Sequence, residues 1–223
     1  MEVLVIALAA VAAGALGALG PQAIAALPEP DDAEKTPYVE VAAIRGARPV
    51  MALLAAVAAG VVGWRLHTPE LVPVWVAVAG IGSWMGFIDW HTRYLPLRLN
   101  ILLYPLTWLL VALAALLLRD TDVLVRALVA NVVVYLIYRL LYWAARRWFG
   151  GAFGYGDVRL SGVLAVALGA VSTEAVYIGT YGGFVLGALL GGGLALLKIV
   201  DAKGFAFGPF MLLGAVVGAA WAA

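Results

Sequence analysis

The chain contains, at residues 99–118, the sequence LNILLYPLTWLLVALAALLL, in which no side chain is charged. The hydrocarbon core of a bilayer is about 30 Å thick and is crossed by about 20 helical residues. Because this core offers no water to backbone N–H and C=O groups, such a segment crosses it as an α-helix. The stretch therefore predicts a membrane-spanning helix.

Seven further apolar stretches accompany this one, so we predict eight helices, at residues 3–20, 50–66, 71–88, 98–118, 122–143, 159–173, 175–197 and 207–222. Only Ser172-Thr173-Glu174 separates the sixth from the seventh, so six or seven spans stay open as alternatives. Of the 223 residues 65% are hydrophobic and 12% charged, against about 25% charged in a soluble domain. We predict an all-α, polytopic membrane protein with about eight transmembrane helices.

The polar stretch at residues 21–49 is rich in Pro, Asp and Glu and separates the first helix from the others. It has too few apolar residues to build a core, so we interpret it as a loop with a short amphipathic helix near Val39 to Ile44. Residues 1–49 then form the first transmembrane helix and a short cytosolic loop, and residues 50–223 form the helical membrane core. The first helix follows Glu2, not the basic residues of a secretory signal, and is predicted to be retained.

The distribution of basic residues predicts the orientation. With the N-terminus outside, the inner loops hold eleven Lys and Arg residues and the outer loops hold three. This agrees with the excess of positive charge on the cytoplasmic side of membrane proteins. The same orientation brings Asp89 and Asp157 to the cytosolic margin of the membrane.

Several kinds of chemistry are excluded by composition. The chain has no cysteine, so disulfides, thiolate catalysis and Cys-ligated zinc are ruled out. Its two histidines, His67 and His91, match no metal-ligand spacing, and we predict no metal and no cofactor. A formal charge of +1 without a basic stripe predicts no nucleic-acid partner. The lipid bilayer is the main predicted partner.

Two aspartates lie at the margins of apolar stretches, Asp89 in FIDW (87–90) and Asp157 in GYGD (154–157). A carboxylate at such a place is costly to keep charged and is a functional candidate. Two carboxyls that share a proton can hydrolyse a peptide bond, because one takes a proton from water and the other donates one to the carbonyl oxygen. The alternative is that each aspartate faces water at a helix end or pairs with Arg93 or Arg159.

Four glycines lie just before the second aspartate, within residues 150–156. Glycine permits left-handed backbone conformations and the close approach of another backbone. A glycine loop beside the acid offers N–H and C=O groups with which an extended substrate segment can pair as an added strand. A flexible loop with Asp157 as the N-cap of the next helix is the alternative, and the two interpretations are compatible.

Three motifs resemble those of the type IV prepilin peptidases, a family of bacterial membrane aspartyl proteases. Residues 154–160, GYGDVRL, resemble the GxGD motif that is followed by V-K-L. Residues 89–96, DWHTRYLP, resemble the first motif of the family, an aspartate with Leu-Pro or Ile-Pro ending seven residues on. Residues 207–210, FGPF, resemble the P-F-G-P-F segment that opens the last helix. The matches occur in the family's order within residues 80–222.

The resemblance implies an eight-helix, multi-pass protein of the bacterial cytoplasmic (inner) membrane whose active site faces the cytosol. It implies that Asp89 and Asp157 are the catalytic pair and that no metal takes part. The substrate would be a type IV prepilin, a pseudopilin or a related secretion subunit, cut between its short basic leader and its hydrophobic helix.

The resemblance also indicates substrate contacts. Gly154 and Gly156 match the motif glycines and are expected to lie at the substrate. A pilin carries an acid early in its helix, and Arg93 or Arg159 is the expected receptor for that acid.

Two features depart from the family pattern. Many members carry, between the first two helices, a cytosolic insert with CxxC motifs that hold zinc, and they also methylate the new N-terminus. Residues 21–49 are short and hold no cysteine, so neither zinc nor methyl transfer is expected. Leu97 stands where the bifunctional enzymes often have an acidic or amide residue, which bears on how the next helix starts or how substrate is held.

Two other classes of protein compete with this interpretation. A small transporter or channel can use buried aspartates as cation or proton sites, although no repeat relates the two halves of this chain. A rhomboid-like serine protease needs a serine and a histidine on different helices. Its nearest counterpart here is Gly82-Ser83-Trp84, and both histidines lie in or near interfacial loops.

Overall fold

The computed structural model describes residues 2–29, 36–148, 153–198 and 206–222. Within these ranges the secondary structure is helical and contains no β-strand. The α-helices, in chain order, are α1 Glu2–Ala18, α2 Gly20–Ala25, α3 Tyr38–Ala42, α4 Ala47–Arg65, α5 Val72–Thr92, α6 Leu97–Leu118, α7 Asp122–Trp148, α8 Tyr155–Val171, α9 Thr173–Leu186, α10 Gly192–Leu196 and α11 Gly208–Trp221. A 3₁₀ turn at Pro69–Leu71 leads into α5, and a π-helical turn at Gly187–Gly191 joins α9 to α10.

Among the described residues, six helical segments are long and apolar enough to cross a membrane: Val3–Ala25, Ala47–Arg65, Pro69–Thr92, Leu97–Leu118, Asp122–Trp148 and Thr173–Leu194. The prediction of an all-α membrane protein is confirmed at this level. All eight predicted stretches coincide with helices, but α8 has 17 residues and α11 has 14. Eight spans, the orientation of the N-terminus and the division of the chain at residue 49 stay predictions. The short helix expected near Val39 is found as α3.

Two helices form the interior of the bundle. Fifteen of the 21 residues of α5 are buried, and so are 13 of the 17 residues of α8. In contrast, α4, α6 and α7 each bury a minority of their residues. Around this interior, α1 and α4 pack on α5, α6 and α7 pack on α8, and α11 contacts both inner helices. Asp89 lies on α5 and Asp157 on α8, so each candidate acid belongs to an inner helix.

Small residues allow close contacts between helices. A methyl group at Gly218 on α11 would stand 2.5 Å from the Cα of Gly179 on α9. A methyl group at Gly169 on α8 would stand 2.7 Å from the Cβ of Ala130 on α7. Helices in membranes associate largely through such small-residue contacts, which explains why glycine is frequent inside these apolar segments.

Candidate functional site

Asp89 lies in the last turn of α5 and is 4% exposed. Its Oδ2 accepts a hydrogen bond from the backbone N–H of Gly208 at 2.9 Å. Gly208 is the first residue of α11, where N–H groups have no partner inside the helix and where the helix dipole is positive. A methyl group at position 208 would stand 2.8 Å from Asp89 Oδ2, so this contact requires glycine.

Asp157 is the third residue of α8 and is 8% exposed. Its Oδ2 accepts a hydrogen bond from the backbone N–H of Gly154 at 3.3 Å. Gly154, which has extended backbone angles, is the N-cap of α8. The helix therefore begins four residues earlier than predicted, and the alternative in which Asp157 is itself the N-cap is wrong.

The motif glycines Gly154 and Gly156 allow neighbouring atoms to approach the backbone closely. Among the described glycines only Gly46 has a positive φ, so the expectation of left-handed conformations is wrong for Gly154 and Gly156. A methyl group at Gly156 would stand 2.8 Å from the Cβ of Leu95, and one at Gly154 would stand 3.1 Å from Asp157 Oδ2. Gly150 and Gly151 lie outside the described residues.

Leu95 connects the two halves of the site. This buried residue lies in the short connection between α5 and α6 and packs closely against Gly156. Its Cδ2 would also stand 3.4 Å from a methyl group at Gly208. Leu95 therefore lies between the backbone that binds Asp89 and the backbone that carries Asp157. The sequence showed this leucine as part of a motif but did not reveal these contacts.

The two carboxyl groups interact electrostatically. Asp157 lies in the first turn of α8, outside the six candidate spans. The pKa of its carboxyl is raised from an ordinary value of 3.8 to about 7, chiefly by burial and also by the charge of Asp89, while the Gly154 N–H opposes the rise. Like charges that lie close together in a poorly solvated site favour retention of one proton by the pair. The structure thus brings together the two acids that the sequence selected.

An aromatic wall encloses the Asp157 side of the site. Phe207, next to Gly208, packs against Phe153 and Phe184 with ring centroids 5.9 and 5.2 Å away. Tyr138 on α7 packs against the same two rings, at 5.7 and 5.2 Å, and interacts electrostatically with Asp157. Such apolar walls lower the local dielectric and strengthen charge interactions. Local sequence patterns gave no signal for this wall.

The two predicted arginines occupy different surroundings. Arg93 is exposed and caps the end of α5, and its backbone N–H donates to the carbonyl of Asp89 at 2.7 Å. Its φ of 54° is uncommon for a residue with a side chain. Arg159 is half-buried, and its guanidinium lies 4.6 Å from the ring centroid of Tyr155. Within the described parts of the chain Arg159 forms no ion pair with Asp157, so the pairing alternative fails for this residue.

An apolar groove of about 540 Å³ runs beside the site between α4, α5 and α11. Its α5 wall extends from Trp75 to His91, about 24 Å at the helical rise of about 1.5 Å per residue. Pro209 and Phe210 line the end nearest Asp89, directly after Gly208. Val57 of α4 lines the groove and is exposed, so the groove opens at the surface of the bundle.

The described residues show neither a metal-binding cluster nor a serine–histidine pair. Among the described residues, no three His, Cys, Asp or Glu side chains come together as a metal site would require, and the expected absence of a metal stays a prediction. Ser83, the nearest candidate for a serine nucleophile, is buried and donates to the carbonyl of Gly80 at 2.7 Å. His91 contacts the carbonyl of Phe87 at 2.8 Å. Neither hydrogen bond links the serine to a histidine.

No model of a known protein family, no curated protein and no solved structure matches this chain. The relationship to the prepilin peptidases therefore stays a prediction from the three sequence motifs.

Proposed function

We propose that this protein is an aspartic endopeptidase that cleaves the basic leader from type IV prepilin or pseudopilin-like precursors at the cytosolic face of the bacterial inner membrane. The main support is the meeting of two buried, electrostatically coupled aspartates from the two inner helices. Further support comes from Leu95, which belongs to the same motif as Asp89, and from Gly208, which belongs to the third motif, because both lie within the same site.

The two acids have different roles in this proposal. Asp157 holds the proton of the pair below about pH 7, because its pKa is raised to about 7. Asp89 is the base, because the N–H of Gly208 at the start of α11 stabilises its negative charge. The sequence alone left the choice of base open.

The proposed chemistry conserves protons over one cycle. Asp89 removes a proton from water while the oxygen of that water bonds to the peptide carbonyl carbon and Asp157 protonates the carbonyl oxygen. The gem-diol then collapses, and the C–N bond breaks. Asp89 gives its proton to the leaving amine, and a hydroxyl of the gem-diol returns a proton to Asp157. Both carboxyls end in their starting states, and no cofactor is consumed.

The apolar groove is the proposed binding site for the substrate helix. A precursor of this class has an apolar helix directly after the scissile bond, and the groove is apolar, is open at the bundle surface and ends beside Asp89. We place the helix in this groove and the extended scissile segment across the two acids. In the first turn of α8 the N–H of Gly156 has no helical acceptor and is available to the extended segment, whereas the N–H of Gly154 is engaged by Asp157. Arg93 or Arg159 receives the acid of the substrate helix.

Incubation of detergent-purified protein with a panel of prepilin-like precursors tests the activity, and mass spectrometry of the products locates the cut. We expect a new N-terminus at the start of the apolar helix. Asp89→Asn and Asp157→Asn should each abolish cleavage while the protein still elutes as a folded species. Asp122→Asn, an exposed acid at the start of α7, should cleave normally.

The same variants separate the peptidase from the transporter alternative. Absence of cleavage of every precursor, together with an ion or proton flux in liposomes that both substitutions alter, would establish a transporter. Retention of cleavage by either aspartate variant would refute the proposed acid pair.

A further inference from the structure

A group of arginines and tyrosines lies outside the aspartate site, where the end of α7 packs on the start of α8. We call it the arginine–tyrosine cluster, and its members are Tyr135, Arg139, Tyr142 and Arg146 on α7 and Tyr155 and Arg159 on α8. The four α7 residues follow one another at spacings of four, three and four, so they lie on one face of the helix.

Two guanidinium groups approach the ring of Tyr142. The Cζ atoms of Arg139 and Arg146 each lie 5.7 Å from its centroid. Arg146 Nη1 also donates to the Tyr142 hydroxyl at 3.0 Å. These distances are within the range of cation–π attraction, which holds two positive groups around one ring.

A second ring extends the cluster onto α8. The Cζ atom of Arg139 lies 5.3 Å from the centroid of Tyr155, and that of Arg159 lies 4.6 Å from it. The hydroxyl of Tyr155 lies 3.3 Å from that of Tyr135. Arg139 therefore contacts both rings and is the central member of the cluster.

The cluster carries three positive charges without a compensating carboxylate. None of its arginines forms an ion pair within the parts of the chain that the structure describes, and the nearby Asp157 accepts from Gly154 instead. Neighbouring guanidinium groups repel one another, and a bound anion removes that cost. The planar fork of a guanidinium matches the oxygens of a phosphate, with two parallel hydrogen bonds to each group.

The surroundings of the cluster indicate the source of the phosphate. Leu136, Leu140 and Trp143 are exposed on the neighbouring faces of α7. Because α7 belongs to a candidate membrane span that ends at Trp148, these apolar side chains face lipid tails. Tyr142 and Arg146 lie within the last two turns of that span, a position at which tyrosine and tryptophan commonly meet lipid headgroups. Anionic phospholipids are enriched on the cytoplasmic side, which is the side that the charge distribution predicts.

We infer that the arginine–tyrosine cluster binds the phosphate of an anionic phospholipid, with Arg139 and Arg146 as its principal ligands and Tyr142 as the support that holds them. The lipid tails would lie along the exposed leucines of α7. Arg159 belongs both to this cluster and to the proposed substrate contacts. The inference does not depend on the proposed peptidase activity, because its principal ligands, Arg139 and Arg146, are assigned neither to the substrate nor to the acid pair.

Native mass spectrometry of the detergent-purified full chain tests the inference. Phosphatidylglycerol and phosphatidylcholine with identical acyl chains are titrated separately, and the fraction of lipid-bound protein is measured. We expect wild type to prefer phosphatidylglycerol, and Arg146→Gln to lower its affinity for that lipid by about fivefold, the effect of about one basic residue at an anionic surface. Arg139→Gln should lower it at least as much.

Arg147→Gln is the matched control, because Arg147 is the next residue on α7, is exposed, and contacts no ring of the cluster. It should leave the affinity within about twofold of wild type, since a charge outside the cluster makes only a weak, screened contribution. Equal binding of the two lipids by wild type would overturn the inference. Equal losses in Arg146→Gln and Arg147→Gln would also overturn it, since they would indicate diffuse surface charge.

Two further binding experiments test whether the ligand is free phosphate or an acidic peptide. If inorganic phosphate alone at millimolar concentration displaced phosphatidylglycerol completely, the site would belong to the free ion, and the lipid assignment would be wrong. If an acidic precursor peptide bound in an Arg146-dependent manner while neither lipid was preferred, the cluster would belong to a protein ligand. Thermal melting of each variant shows whether a loss of binding reflects loss of the fold.

Discussion

Gly208 donates its backbone N–H to the carboxylate of Asp89 at 2.9 Å, across 119 positions of the chain. This contact joins the start of the last helix to the end of an inner helix. It also explains why a glycine stands at the beginning of α11, since any side chain there would collide with Asp89. The groove, the acid pair and the aromatic wall all meet at this first turn of α11.

Gly208→Ala should lower the rate of precursor cleavage by about 100-fold, because a displacement of about 1 Å at a reacting group has an effect of that size. The added methyl group would stand 2.8 Å from Asp89 Oδ2. A matched control is Gly193→Ala on α10, where a methyl group meets nothing within 4 Å. Initial rates for the two variants, with folding checked by circular dichroism, provide the measurement. Similar rates in both variants would show that this contact does not position Asp89 for catalysis.

Cleavage should slow as the pH rises above about 7. The raised pKa of Asp157 keeps its proton at lower pH, and that proton is lost as the pH passes about 7. Each further pH unit should lower the rate by up to about tenfold, because the proposed reaction needs one proton on the pair. The profile of kcat/KM between pH 5 and pH 9 is the readout. A rate that is constant from pH 6 to pH 9 would contradict the role of Asp157 as the acid.

Asp157→Asn should stabilise the folded protein at high pH. The pKa of Asp157 in the folded state, about 7, lies above its ordinary value of 3.8. Protonated Asp157 therefore contributes to the free energy of unfolding. This contribution is fully present below about pH 4 and is lost as the pH rises through about 7. At pH 8 the variant avoids a buried charge, and its apparent melting temperature should exceed that of wild type by on the order of 5 °C.

The stability difference between Asp157→Asn and wild type should shrink at pH 5, where wild type keeps the proton. Melting curves in detergent at both pH values, with Asp122→Asn as the exposed control, measure it. An equal difference in melting temperature at both pH values would show that the stabilisation does not come from removing the ionisation of Asp157.

The substrate acid should interact with one of the two arginines. Arg93→Glu or Arg159→Glu should impair cleavage of a wild-type precursor by about tenfold, because reversal replaces an attraction by a repulsion between like charges. The same reversal should have little effect on a precursor whose helix acid is replaced by an amide. The ratio of kcat/KM for the two precursors is the quantity to compare. Equal losses for both precursors would remove that arginine from the substrate contacts.

The groove should determine affinity for the apolar helix of the precursor. Val57→Phe narrows the groove and should raise KM several-fold for a full-length precursor, but not for a peptide that lacks the helix. Leu53→Phe is the control, because Leu53 lies one turn earlier on α4, is 65% exposed against 55% for Val57, and does not line the groove. Equal KM values for Val57→Phe and Leu53→Phe would place the substrate helix elsewhere.

The amino-acid sequence by itself determined the class of fold and the identity of the candidate acids. An apolar stretch long enough to cross a bilayer must satisfy its own backbone hydrogen bonds, so composition and length suffice to predict helices in a membrane. Asp89 and Asp157 were selected in the same way, from their residue type and their place beside apolar stretches. These are local properties, and sequence patterns record local properties well.

The tertiary structure decided how these local features combine. Packing between helices brings Asp89 and Asp157 into one site, places Leu95 between Gly156 and Gly208, and closes the site with the wall that includes Tyr138. The start of α8 was missed for a local reason, because the apolar pattern did not show that Gly154 is the N-cap and donates to Asp157. Contacts between residues far apart in the chain follow from the shapes of whole helices, and no local pattern of residues encodes them.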